Sequence, residues 1–399
     1  MQLSKQRLPA LIVGTLQKYP WIGWAVWAVV VAAVLLRMHP RRFGSAFRYY
    51  MEFAEKLWNE QTIYDPSTLG DISYWPTSLL LFVPVTPLDH TTAATILFAV
   101  FAAILSYAAV VFTRALLDDR PDALWVAGLL LVVNVWPGWY HFKQVQLHIP
   151  MVAAMMLASA ALMRGRHVLS AVWLTFALIA KPISLVMVLL ASALVPRMRL
   201  LLIAGIIVGF ALPFAFVHAD YLIEQYRLFG LKLWSVASAP PGDWIYQSDF
   251  STLLRFFGIV FPGSVSFAIR VLAGLGTLWL AWQVQRTGHR KALAVALLVL
   301  SGCYLGLFGP RNEHVSYLVS TPGITAVAFL LLLADARDIR GWLLLLACQV
   351  LGFYAKVEID IVTKPAVMVA IYAWLTYVMA RPQRFCDIVD RATAPKPDR

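Results

Sequence analysis

The stretch VLSAVWLTFALIAKPISLVMVLLASALV, residues 168–195, holds a single charged residue, Lys181, followed at once by Pro182. A bilayer crossing takes about 20 apolar residues. The stretch is therefore either one long helix interrupted at Lys181-Pro182 or two short helices that reverse there, and the choice sets which end of the molecule every later segment reaches. Short basic connectors stand at Arg164-Gly165-Arg166, Arg197-Met198-Arg199, residues 286–291, residues 337–340 and residues 381–384. With a reversal at Lys181-Pro182, all five fall on the side of the N-terminal Lys5, Arg7 and Lys18, as the positive-inside rule requires. An uninterrupted helix would put the last three opposite. The reading is a reversal.

Working outward, the same apolar rhythm fills the chain. Of 399 residues, 60% are hydrophobic and 14% charged, against about 25% charged in soluble domains. Apolar blocks recur from residues 21–38 to residues 366–380, which predicts an all-α, polytopic membrane bundle of roughly ten to twelve spans. Residues 1–385 read as one transmembrane domain and 386–399 as a short cytoplasmic tail. Trp21, Trp24, Trp136, Trp139, Tyr140 and Trp342 sit at block edges, where aromatic rings favour the headgroup layer. The run after Lys18 lacks a signal-peptide exit and reads as a first anchor. Cys303, Cys348 and Cys386 suggest no disulfide or metal framework. The net charge of +12 is explained by topology and attraction to anionic lipid, with no nucleic-acid site implied. The expected address is a plasma (inner) membrane, with both termini cytoplasmic.

The longer polar segments then emerge on the opposite, extracytoplasmic face. Residues 39–70 place Phe47, Tyr50, Met51, Phe53, Ala54, Leu57 and Trp58 at helical spacing, which predicts an amphipathic helix lying along the membrane; residues 221–234 read alike. Residues 79–88, broken by Pro84 and Pro87, are too short to span and form a re-entrant or interfacial piece. Several polar groups are candidates for chemistry. Glu52, Glu55, Glu60, Asp65 and Asp71 are solvated residues or a general base. Lys143, Gln144 and His148 open a span. Lys181 either snorkels or holds a lipid phosphate. Arg311-Asn312-Glu313-His314, close to Tyr317, sets a cation, an amide, a carboxylate and an imidazole between two apolar blocks, which at membrane depth points to function.

Three of these segments carry a resemblance. Phe47-Arg48-Tyr49-Tyr50, Ile63-Tyr64-Asp65 and Tyr74-Trp75-Pro76 resemble the first large loop of glycosyltransferase family 87, membrane enzymes of the GT-C class. Residues 144–148, leading to Ala180-Lys181-Pro182, are similar to that family's middle section. Residues 309–314 with Tyr317 resemble its late loop, where a histidine helps to form the active site. The resemblance implies transfer of mannose or a related sugar from a polyprenyl-phosphate donor to a lipid or glycan acceptor, without a metal or other cofactor. It places His314 as a catalytic candidate, beside Glu52 and Asp71, which the residues themselves offer. Arg48, Tyr50, Lys143, Gln144, His148, Lys181, Arg311, Asn312 and Tyr317 would line the substrate site. One position departs from the pattern: Ser45 stands where the family carries its aspartate base. Glu52, two helical turns on, or Asp71 would have to replace it. The rival readings are a flippase of lipid-linked substrates and an inactive relative of the enzyme. No internal repeat of the kind found in transporters stands out.

Overall fold

The computed structural model describes residues 8–37, 45–67, 74–238, 248–309, 313 and 315–394. Among them the chain forms nineteen α-helices. The first third contains α1 (Leu8–Lys18), α2 (Ile22–Leu36), α3 (Ser45–Trp58), α4 (Pro76–Leu79), α5 (His90–Leu116), α6 (Asp122–Val133) and α7 (Val135–Lys143). The middle contains α8 (His148–Met163), α9 (His167–Ala180), α10 (Leu185–Leu194), α11 (Pro196–Ala211), α12 (Ala219–Ser238) and α13 (Phe250–Phe256). The last third contains α14 (Gly263–Gln285), α15 (Arg290–Phe308), α16 (Thr321–Ala334), α17 (Ile339–Gly352), α18 (Val357–Met379) and α19 (Pro382–Thr393).

Each expected span has a helix at its place, yet their lengths differ from the expectation. Among the described residues, five helices are long and apolar enough to cross a membrane, and α6 with α7, bent by 61°, would make a sixth. The other expected crossings are apolar helices of 10–17 residues. Helices wrapped by protein need not match the bilayer, because neighbouring groups satisfy the backbone at their ends. All sixteen residues of α8 are buried, and α15 and α16 are almost as enclosed. These three form the centre, packed closely enough that a Cβ on Gly323 would run into the backbone of Val299. Small residues permit such approach where hydrophobicity cannot drive association.

The bend between α6 and α7 has a chemical cause. Pro137 has no N–H to give the carbonyl of Val133, and Gln349 Nε2 donates to that carbonyl instead, at 2.9 Å. Residues 76–85 show the same logic. The last carbonyls of a helix lack partners within it; Ser78 donates its hydroxyl to Ile179 O, Thr77 to Gly209 O at 2.7 Å and Tyr226 to Phe210 O at 2.8 Å. The segment is thus wedged into protein at the ends of α9 and α11.

The reversal at Lys181-Pro182 is present. A Cβ on Gly205 would collide with Thr175, and one on Gly209 would meet Ile179 at 3.1 Å. Ascending numbers therefore pair with ascending numbers, α9 and α11 run parallel, and α10 returns between them. The basic connectors gather accordingly at one end. Arg164 pairs with Asp119 at 3.1 Å, Lys291 with Asp118, and His289 with Asp390 at 2.8 Å. Trp24 Nε1 donates to Leu124 O at 2.9 Å, bringing the N-terminal side of α2 to this end too.

Two details depart from the sequence expectations. The apolar face of α3 lies on protein rather than lipid: Phe47, Tyr50, Met51, Phe53, Ala54 and Leu57 are buried, with only Trp58 exposed. Residues 386–393 belong to α19, an amphipathic helix whose Phe385, Cys386, Ile388, Val389 and Ala392 pack across the bundle end.

Candidate functional site

At the end opposite the basic connectors, three stretches far apart in sequence meet. The helices α8 and α9 are antiparallel neighbours, so the first residue of α8 lies beside the residue that follows α9. Lys181 Nζ stands 2.7 Å from His148 Nε2. Nζ also lies 3.1 Å from His148 Nδ1, and an ammonium only donates hydrogen bonds, so the imidazole is the acceptor. His148 Nδ1 lies 2.9 Å from Gln146 Oε1. His148 is nearly fully buried and Lys181 partly so. The cation is oriented from behind and keeps an open side.

That side faces the early loop. Lys181 Nζ sits over the ring of Tyr74, 5.3 Å from its centroid. Tyr74 and Tyr50 share a hydroxyl–hydroxyl bond of 2.8 Å, and the Tyr50 ring stacks on Phe82 at 4.9 Å. Burial first, then Tyr74 and the carboxylate of Glu313, hold the Tyr50 phenol well above its usual pKa. Tyr50 therefore stays a neutral hydroxyl, fit to donate to an anion.

The late loop closes the ring. His141 joins Gln146 Oε1 at 2.6 Å and the carbonyl of Val315 at 2.8 Å, tying α7 to the segment after Glu313. The rings of His141 and His148 are 4.1 Å apart. Glu313 is exposed, yet near enough to Tyr50 to act on its ionisation. Tyrosine hydroxyls, one ammonium beside an imidazole and an exposed carboxylate thus gather at one end of the bundle, a combination suited to an anion and a polar substrate.

The sequence candidates divide into four groups. Tyr50, His148 and Lys181 are brought together. Gln144 and Tyr317 serve the scaffold: Gln144 Oε1 accepts from Ala46 N at 3.3 Å, in the first turn of α3, while the buried Tyr317 hydroxyl donates to Ser248 O at 2.8 Å. Glu52, Arg48 and Lys143 are exposed. Glu52 pairs with Lys56 at 2.6 Å on the side of α3 away from Tyr50, and Lys143 lies over Trp139, 5.8 Å from its centroid. Asp71, Arg311, Asn312 and His314 lie outside the described residues. His141 and Gln146 were not singled out as site residues, although an ionisable group beside a span is itself a signal. Glu313 stands out in the sequence only as one member of the 311–314 cluster.

The sequence profile of glycosyltransferase family 87 matches residues 72–307. The match covers Tyr74, His141, His148 and Lys181, while Tyr50 and Glu313 fall just outside it. No curated protein matches the chain.

Proposed function

Because this chain belongs to glycosyltransferase family 87, we propose that it moves one sugar, mannose or a related residue, from a polyprenyl phosphate to a lipid or glycan acceptor. The transfer inverts the anomeric centre and takes place on the extracytoplasmic side of the plasma membrane, with the basic end cytoplasmic. The observation that carries this reading is the Lys181–His148 pair facing Tyr74 and Tyr50.

In this reading the acceptor hydroxyl attacks the anomeric carbon, and the bond from that carbon to the phosphate oxygen breaks. Negative charge grows on the departing polyprenyl phosphate, where a preorganised cation acts most strongly. Lys181 supplies that charge, Tyr50 a neutral donor, and Arg311, Asn312 and His314 would add contacts from the late loop. The acceptor proton goes to a carboxylate. Ser45 cannot take it. Glu313, near enough to Tyr50 to act on it, ranks ahead of Glu52, which is engaged by Lys56, and Asp71 remains a candidate from the sequence. The absence of a carboxylate at position 45 favours a second reading, an inactive relative that binds the lipid donor without transferring its sugar.

Purified protein in nanodiscs, given radiolabelled polyprenyl-phosphate-mannose and a total lipid extract of the host, separates these readings. A labelled product that disappears in Lys181→Ala supports the transferase. Loss in Glu313→Gln or Asp71→Asn then identifies the base. Movement of the labelled lipid across the membrane of sealed vesicles, without a new glycosidic bond, would mean a flippase. Donor binding with neither result would mean the inactive relative.

A further inference from the structure

At the basic end, remote from the Lys181 site, a cavity of about 310 Å³ opens between the starts of α9, α11 and α15. That volume is at the lower end of the range for ligand pockets, roughly 300–1,000 Å³. Leu162, Leu194 and Leu293 give it an apolar wall, and His167, Arg197 and Arg290 a cationic one.

The charges around it sort into two sets. Asp118, Asp119 and Asp390 are taken by Lys291, Arg164 and His289. His289 also uses its other ring nitrogen to accept from Ala292 N at 3.1 Å. Arg199 donates to the carbonyls of Ser192 and Ala193, at 2.8 and 3.0 Å. Arg197 and Arg290 have no ion-pair partner among the described residues; both act electrostatically on His167 between them. The buried Nδ1 of His167 likewise has no hydrogen-bond partner there. A buried polar atom left unpaired is costly, so its position calls for a partner. The starts of α9 and α11 carry no side-chain cap, which leaves their N–H groups pointing the same way.

We propose that this cavity binds the phosphate headgroup of an anionic phospholipid from the leaflet at the basic end, with Arg197, Arg290 and His167 on the phosphate and an acyl chain along the leucines. The apolar wall selects a lipid over a free anion, and basic pockets between membrane helices are suited to such headgroups. The site is separate from the sugar-transfer site and does not depend on that activity.

The test uses the full-length protein, delipidated in detergent, with binding of phosphatidylglycerol, phosphatidylcholine and inorganic phosphate measured separately. The control is Arg337→Gln with Arg384→Gln, which removes the same charge at the same end outside the cavity. Unchanged melting temperatures without lipid establish that all variants are folded. Phosphatidylglycerol should bind well above phosphatidylcholine, and Arg197→Gln with Arg290→Gln should weaken it about thirtyfold. The control should change it less than about threefold, and His167→Phe should give an intermediate loss. Equal weakening by both charge pairs would overturn the site in favour of diffuse attraction. Equal binding of phosphatidylcholine would overturn headgroup recognition, and inorganic phosphate binding as tightly as the lipid would overturn the lipid assignment.

Discussion

The two ends of the bundle use charge in opposite ways. At the basic end, the ion pairs Arg164–Asp119 and Arg340–Asp338 each keep one side chain well exposed. Their number and side matter more than their geometry. At the other end a few polar groups are buried, and each has a specific neighbour: Lys181 on His148, His148 on Gln146, Tyr50 on Tyr74. Burial converts a charge from a topological label into a committed part, because unpaired polar groups are costly where water is scarce. Substitutions at the two ends should therefore differ in kind.

The largest effect is expected at Lys181. Lys181→Ala should lower the rate of sugar transfer by about 10²-fold or more, the scale for losing a preorganised group at a developing charge. Lys181→Arg should recover part of it, since the positive charge returns with a different shape. Measured kcat in nanodiscs decides this, and a variant at the wild-type rate would remove Lys181 from the mechanism.

Tyr50→Phe comes next. It deletes the hydroxyl shared with Tyr74 while keeping the ring against Phe82. Transfer should fall about tenfold, with stability lowered by about 1 kcal/mol; thermal unfolding and activity measured on one preparation separate the two effects. An intact rate would mean that Tyr50 is only packing.

Thr77→Val and Ser78→Ala probe the scaffold beneath the site. Each leaves a helix-end carbonyl without its hydroxyl donor. Hydrogen bonds between membrane helices average about 0.6 kcal/mol, with a maximum near 1.7. Each variant should therefore lower the melting temperature modestly and leave the rate per folded molecule within about threefold. A loss of rate without loss of stability would instead place these hydroxyls in contact with substrate.

The smallest change is expected from Arg164→Ala at the basic end. Its pair with Asp119 is exposed, so stability should shift by less than about 1 kcal/mol and transfer should not change. A large fall in either would erase the contrast between the ends.

Much of the fold was legible because it rests on counting. Apolar length and basic connectors predict the helices and their alternation, and the reversal at Lys181-Pro182 follows from parity. Helix length was less legible: α8 and α16, both enclosed by protein, have 16 and 14 residues, while the equally enclosed α15 has 19. The face of α3 was legible as amphipathic, but whether lipid or protein would cover it was not. In the site, Lys181 and His148 could be named as candidates from their place at span ends. Their hydrogen bond could not, since 33 residues separate them. Glu52 illustrates the reverse, a carboxylate at plausible spacing whose helix turns it outward onto Lys56.

The sequence by itself determined a helical membrane protein, the side on which its basic connectors gather, and the family, because these depend on composition, local order and short motifs. Only the tertiary structure decided which polar residues meet. His141, Gln146 and Val315 are joined across as many as 174 residues, and Glu313 reaches Tyr50 only because the early and late loops fold onto the same end. Such pairings depend on how helices cross and where their ends fall, which no local pattern records.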